Sequence, residues 1–189
     1  MNASVDEINS LPDFGRIMAE SVVEFFAKQK TMEIIDKLND AKDVFEWAGD
    51  PIVNTYMPYP LHKNIHQTEE WISTLEDKNE FCFCLRNTGK VIGSGSITYR
   101  TEYKAYELGY NLNRKFWGKG YATEAAKAMV QWAYQNLGAR DFFARHANAN
   151  KASGNVITKC GFQFEKYGRY SRYDGSETFE SSYYTLHLE

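Results

Sequence analysis

The sequence predicts a mixed α/β domain, with a central and mostly antiparallel sheet flanked by helices, and three observations carry that prediction. Period-two segments stand in pairs around turn residues: 81–85 and 91–99 around Asn87-Thr88-Gly89, and 162–173 and 179–188 around Asp174-Gly175. Each pair reads as a β-hairpin. From Ala122 onward the apolar residues Ala125, Ala126, Met129, Val130, Trp132, Ala133 and Leu137 recur at helical spacing, with Glu124, Lys127, Gln131 and Gln135 between them. Joining the two kinds of pattern, Tyr106, Leu108, Tyr110 and Leu112 alternate with Glu107, Gly109 and Asn111 as a strand, which passes through Gly118 and Gly120 into that helix.

A chain of 189 residues suits one compact domain. Its net charge of −3 argues against nucleic acid as the main partner, because phosphate backbones select clustered positive charge. No apolar run reaches the length of a membrane span, and the acidic N-terminus lacks the order of a signal peptide, so a soluble cytoplasmic protein is expected. The three cysteines include no C-x-x-C pair and read as free thiols in a reducing compartment; no metal site is expected.

In chain order, residues 1–30 read as a helical extension after Pro12-Asp13 whose apolar face, with Phe14, Ile17, Met18, Val22, Phe25 and Phe26, packs on its own domain or on a second subunit, a homodimer being open. Residues 31–189 form the main domain. Residues 31–35 are the place for a first strand, with Glu33 counting against it. Asn39 or Asp40 is a cap for a helix over 41–47, stopped by Gly49-Asp50-Pro51. Residues 68–77 form a second helix from a capping-type start at Thr68. Between them, residues 53–67 make an aromatic loop with Tyr56, Tyr59, His62 and His66; the two histidines have a metal-ligand spacing if helical but no third ligand, and read as solvated. Cys82 and Cys84 share one strand face and read as small buried residues. After the long helix come a strand over 141–146 and a short helix over 153–159 ended by Gly161.

The glycine turn is where chemistry is expected. The first turn of a helix has amides without intrahelical partners and the positive end of the helix dipole, a place for phosphate, and Arg114, Lys115 and Lys119 add full charge. Two nucleotide templates fail: the dinucleotide fingerprint needs glycine or alanine where Thr123 stands, and the P-loop needs Lys-Ser/Thr where Tyr121-Ala122 stands. A G-x-G pair also serves tight turns without chemistry.

The stretch Lys115-Phe116-Trp117-Gly118-Lys119-Gly120 resembles the acetyl-CoA motif Gln/Arg-x-x-Gly-x-Gly/Ala of the GNAT N-acetyltransferases, departing from it at Lys115. The wider ELGY…WGKGYATEA string, with Asn150-Lys151-Ala152-Ser153 and Lys159-Cys160-Gly161-Phe162, is similar to the RimJ/RimL-type branch. The resemblance implies an acyl-CoA N-acyltransferase fold whose sheet splays at the cofactor. It also implies transfer of acetyl from acetyl-CoA to a primary amine by direct reaction in a ternary complex, most simply to a protein or peptide α-amine. A small amine such as a polyamine, aminoglycoside or amino acid, and a non-catalytic acetyl-CoA-binding regulatory role, stay open.

On this resemblance the pyrophosphate lies on the amides of Trp117, Gly118, Lys119, Gly120, Tyr121 and Ala122, near Lys115. The pantetheine arm lies along Tyr110, Asn111 and Leu112, with Asn150 as a hydrogen-bond partner; Asn150 also reads as a helix cap. Glu107 is the candidate base and acceptor contact, or else a strand carboxylate paired with arginine. A backbone N–H near Tyr110 or Asn111 is the expected oxyanion donor. Ser153 matches the branch's serine acid where other members use a tyrosine, here Ile157; a serine there is also a simple cap. Tyr56 and Tyr59 line the acceptor site, or pin their loop to the core. Cys160 lacks an evident base and is discounted as an acyl carrier.

Overall fold

In the computed structural model, residues 37–75 and 79–189 are described. The readings for residues 1–30 and 31–35 lie outside them. The chain divides after Asn39, and Asp40–Glu189 is the unit considered below. Its elements are α1 (Lys37–Ala48), α2 (Ile65–Ser73), β1 (Glu80–Cys84), β2 (Val91–Arg100), β3 (Ala105–Leu112), a 3-10 turn (Arg114–Phe116), α3 (Tyr121–Leu137), β4 (Asp141–Ala147), α4 (Lys151–Lys159), β5 (Gln163–Ser171) and β6 (Thr178–His187). Among the described residues no helix is long and apolar enough to cross a membrane.

The strands form one sheet in the order β1-β2-β3-β4-β6-β5. Every ladder is antiparallel except β3–β4, which the α3 crossover makes parallel. That ladder holds only Tyr106↔Phe142 and Glu107↔Phe143. Beyond Glu107, β3 continues to Leu112 beside β2 and β4 continues to Ala147 beside β6, so the two strands part.

The long helix buries Ala125, Ala126, Met129, Val130 and Ala133 of the apolar stripe read from the sequence, with Trp132 and Leu137 half-buried, and it also buries Ala128 and Gln131, which the stripe did not include. Its approach to the sheet depends on Gly95: a Cβ there would stand 2.6 Å from Met129 Cε and 2.8 Å from the Gly109 carbonyl oxygen. Fully burying a side chain such as Met129 contributes roughly 1.5–3 kcal/mol. Around α1, Val44, Trp47 and Ala48 pack with Val53 and Val91, and Trp71 of α2 meets Trp47 edge-on at 6.2 Å.

Several boundaries differ from the sequence reading. Helix α1 starts at Lys37, so Asn39 and Asp40 lie inside it rather than capping it. Helix α2 starts at Ile65 and ends at Ser73 because Asn64, not Thr68, accepts from the Gln67 amide; Thr68 is fully buried inside the helix. Helix α4 starts at Lys151, with Asn150 as its cap. Cys84 is exposed while Cys82 is half-buried, since β1 ends at an irregularity after Phe83.

The aromatic loop is stapled at both ends. The Asn54 amide donates to the carbonyls of Trp47 and Asp50 at 2.8 and 2.9 Å. From the far hairpin, Arg172 donates to the carbonyls of Met57 and Thr55, both at 2.8 Å, and Glu177 holds its Nε at 3.1 Å. Each charge-assisted bond contributes on the order of 1.5–3 kcal/mol. Arg172→Ala is therefore expected to lower unfolding free energy by about 2–3 kcal/mol in urea titration and to expose residues 53–63 to protease, with Arg172→Lys in between because it lacks the planar fork. Unchanged stability in the alanine variant would remove the staple from the account.

A second network joins α1 to β2 and to the turn after β3. Glu46 receives Lys90 and Lys115, each at 2.9 Å, and the Asn113 amide at 3.1 Å. Lys90 and then Lys115 hold its carboxyl at about 2, well below the usual 4.5. A depressed carboxyl stabilises the fold above its unfolded value and loses that contribution as pH falls towards the folded one. The melting-temperature difference between the native chain and Glu46→Gln should be constant above about pH 4.5 and shrink as pH approaches 2; a difference that does not vary with pH would contradict the network.

Candidate active site

The turn after β3 is built by its own side chains. Asn113 Oδ1 accepts from the Lys115 amide at 3.0 Å, which closes the 3-10 turn, and the Trp117 indole donates to the Leu112 carbonyl at 2.7 Å, which ties the loop to the strand end. Gly118 and Gly120 then take φ of 74° and 88°, open to glycine without strain. Gly120 is the N-cap of α3 and supplies no side-chain cap. A Cβ at 118 or 120 would meet nothing within 4 Å, so the loop amides face open space. Among the described residues no acceptor is hydrogen-bonded to the amides of residues 118–122. Bare amides at the positive end of a 17-residue helix fit a diphosphate.

The loop's cations are less free than the sequence suggests. Lys115 is turned onto Glu46, and Arg114 is paired with Asp50 at 2.6 Å. Lys119 lies over the Phe116 ring at 5.2 Å and is exposed. What the loop offers an anion is therefore its amides and the helix dipole, with Lys119 as the adjoining charge.

The gap between β3 and β4 begins one residue later than Glu107. Asn113 donates its amide to the Ile92 carbonyl at 2.7 Å, so by the two-residue alternation of an antiparallel pair Asn111 and Gly109 also face β2. Tyr110 and Leu112 therefore turn their backbone groups towards the side β4 has left. The Leu112 carbonyl is taken by Trp117, while the Tyr110 N–H and C=O face the gap.

Glu107 stands where the ladder ends. Arg100 Nε donates to one of its oxygens at 2.7 Å and Arg145 Nε to the other at 3.1 Å, and its side chain is only 14% exposed. Arg145 also donates to the Tyr183 hydroxyl at 3.3 Å and lies over the Tyr170 ring. The arginine pairing considered for Glu107 is thus present twice over. A partly buried triad of this kind lies between the exposed and buried limits, at about 1–3 kcal/mol for loss of one partner.

On the same strand face Asn111 is engaged at both ends of its amide. Its Oδ1 accepts from the Ser94 amide at 3.2 Å and its Nδ2 donates to the Tyr59 hydroxyl. Burial pushes the Tyr59 phenol above the ordinary tyrosine range. The structure thereby brings together Asn111, expected beside the cofactor, and Tyr59, expected beside the acceptor. Tyr56 lies on the same loop; its carbonyl accepts from Tyr170 at 2.7 Å and its ring meets Phe179 edge-on.

Across the gap, Asn150 Oδ1 accepts from the Ser153 amide at 3.2 Å, the cap alternative in the flesh. Ser153 Oγ lies 2.9 Å from the Tyr110 hydroxyl, and Ile157 is buried and apolar. Cys160 is held in contact with the Thr123 carbonyl at 3.8 Å, and burial pushes its thiol up to about 12, far from a thiolate nucleophile. The histidines separate: His62 Nδ1 lies 2.9 Å from Thr68 Oγ1, with burial lowering its pKa, while His66 is exposed beside Glu69 and Glu70. Among the described residues no group of three or more His, Cys, Asp or Glu could hold a metal ion.

Sequence reasoning passed over Arg145 and Arg172. Nothing in their local spacing marks them; a lone arginine on a period-two strand facing an acidic partner strand is the signal for Arg145, visible only once the strands are paired.

Comparison with known proteins accords with this geometry. Residues 34–163 match the family model described as an acetyltransferase (GNAT) domain. The chain is 28% identical over 136 residues to an uncharacterized N-acetyltransferase, p20, of Bacillus licheniformis, spanning 68% of this chain and 76% of that protein. It is 29% identical over 78 residues to the ribosomal protein uS5-alanine N-acetyltransferase of Escherichia coli, spanning 41% and 40% of the two. Among solved structures, a GNAT-family acetyltransferase from Bacillus anthracis superimposes with a TM-score of 0.71 at 24% identity, over 78% of this chain and 89% of that one. With a splayed sheet, an open glycine loop at a helix start and a family model spanning most of its length, the chain belongs to the GNAT family and is an acetyl-CoA-dependent N-acetyltransferase.

Proposed function

We propose that the acceptor is the α-amine of a protein or peptide. The observation that carries this reading is the commitment of Glu107 to two guanidiniums. An acceptor with several ammonium groups needs uncommitted carboxylates around it, since unpaired like charges and unmatched cations cost affinity. Glu107 at the root of the gap, and Glu177 in the turn between β5 and β6, are already matched by Arg100, Arg145 and Arg172. A peptide end brings one ammonium. The partial likeness to a ribosomal-protein alanine acetyltransferase supports the same reading.

The residues divide the work as follows. Amides of residues 118–122, the start of α3 and Lys119 hold the pyrophosphate of acetyl-CoA. The Tyr110 backbone and Asn150 Nδ2 bind the pantetheine amides in the gap, as an added strand would be bound. The Tyr110 N–H is also placed to steady negative charge on the thioester oxygen, a contribution of roughly 3 kcal/mol. Proton removal is the lighter task, because an α-amine titrates at about 8 against about 10.4 for a lysine side chain. Glu107 meets it by orienting a water that takes the proton, rather than by direct contact. Tyr56 and Tyr59 wall the acceptor approach.

Thiol release from acetyl-CoA, measured with a panel of amines, tests the substrate class: turnover is expected with peptides bearing a free N-terminus and none with the same peptides N-terminally blocked. Faster turnover with spermidine than with any peptide would reverse the reading. Glu107→Gln should lower kcat mainly at low pH, where the ammonium form dominates and proton removal is most needed; a pH profile unaltered in shape would take Glu107 out of the mechanism. Gly120→Glu sets a carboxylate in the open cradle, and should abolish CoA binding by calorimetry with the far-UV circular dichroism retained. Undiminished affinity would refute the pyrophosphate placement.

A further inference from the structure

The side chain of Tyr110 does something its place on the strand does not announce. It crosses from β3 to α4, where its hydroxyl donates to the Ser153 carbonyl at 3.0 Å and lies 2.9 Å from Ser153 Oγ. A phenol has one proton. The carbonyl can only accept, so that proton is committed to it, and the second contact must run from Ser153 Oγ–H to the Tyr110 oxygen. Two consequences follow for the chemistry. The single hydroxyl proton of Ser153 points at Tyr110 and not into the gap. The Tyr110 oxygen is held by a donor, the arrangement that steadies a phenolate. On α4 itself, Ile157 has no proton to give and is 1% exposed.

We propose that Tyr110, and not Ser153, is the general acid that protonates the departing CoA thiolate, with Ser153 as its positioning residue. The proposal rests on the reading that the thioester arm enters the gap beyond Glu107. The amine nitrogen forms its bond to the acetyl carbon, the C–S bond breaks and its electron pair goes to sulfur. The Tyr110 O–H turns from the Ser153 carbonyl to sulfur and gives up its proton there, while Ser153 Oγ–H stays on the phenol oxygen. The nitrogen's surplus proton leaves through water on the Glu107 side, and Tyr110 regains one from solvent. Burial holds the Tyr110 phenol protonated well past neutrality, and the Ser153 bond works in the opposite sense, easing proton release.

The test follows thiol release from acetyl-CoA twice, with a peptide acceptor and with none, so that in the second case water takes the acetyl group. Both routes need the thiolate protonated. Tyr110→Phe should lower kcat by about 100-fold in both, with CoA affinity by calorimetry unchanged. Ser153→Ala should cost about tenfold, the loss of one supporting hydrogen bond, and the double variant should be no slower than Tyr110→Phe. Installing 3-fluorotyrosine at 110 should move the alkaline limb of the pH–kcat profile to lower pH, which a packing role would not do. A Ser153→Ala loss equal to or larger than that of Tyr110→Phe would overturn the assignment, as would an unmoved limb or a Tyr110→Phe defect confined to CoA affinity. If hydrolysis responds as expected while no peptide is turned over, Tyr110 keeps its role and the α-amine reading falls alone.

Discussion

The structure depends on where one hydrogen-bond ladder stops. β3 and β4 are the parallel pair of the sheet, and they are joined at Tyr106 and Glu107 alone. On either side the antiparallel ladders continue undisturbed, β3 with β2 as far as Leu112 and β4 with β6 as far as Ala147. Each strand is thus held by its outer neighbour while its inner edge is left with unpaired backbone groups. Such groups are costly if buried dry, so the gap is tolerable only as a place that water or a strand-like arm of a ligand fills. The Arg100–Glu107–Arg145 triad sits at the root of the gap and ties β2, β3 and β4 together just before they diverge. One carboxylate therefore fixes the position of the opening.

The glycine loop before α3 follows a different rule. Its groups are the amides of a helix start, and what keeps them available is the absence of side chains at Gly118 and Gly120. The neighbouring lysine and arginine, which look from the sequence like phosphate ligands, are mostly occupied in holding the loop to α1 through Glu46 and Asp50. Their work is to brace the loop, so that protein contacts hold the amides in place. Preorganisation of that kind reduces the ordering cost of binding.

The aromatic loop over residues 53–67 is held through backbone carbonyls in it and just ahead of it. Arg172 and Asn54 satisfy them, and Asn111 fastens Tyr59, so the aromatic loop is pinned to the core. Of the two readings of that loop, these bonds carry the pinning to the core; the wall of an acceptor site belongs to the function proposed above. Asn150 caps α4 with its oxygen, and the pantetheine contact proposed above would fall to its amide nitrogen.

In the sequence by itself, local rules were enough for most of the elements and for the open glycine turn: period-two alternation for both hairpins and β3, helical spacing for α3, and positive-φ glycines ahead of an uncapped helix. They misplaced the starts of α1, α2 and α4, where several residues can cap and the winner depends on which side chain the core leaves at the surface; Thr68 was drawn inside while Asn64 stayed out. Tertiary structure alone decided the partners: that Glu107 faces two arginines, that Lys115 turns to Glu46, that Arg172 reaches the aromatic loop and that the Tyr110 hydroxyl meets Ser153. Each of these pairs joins residues on different elements, and a side chain's chemistry there is set by the register of strands and the seating of helices, which a one-dimensional pattern does not contain.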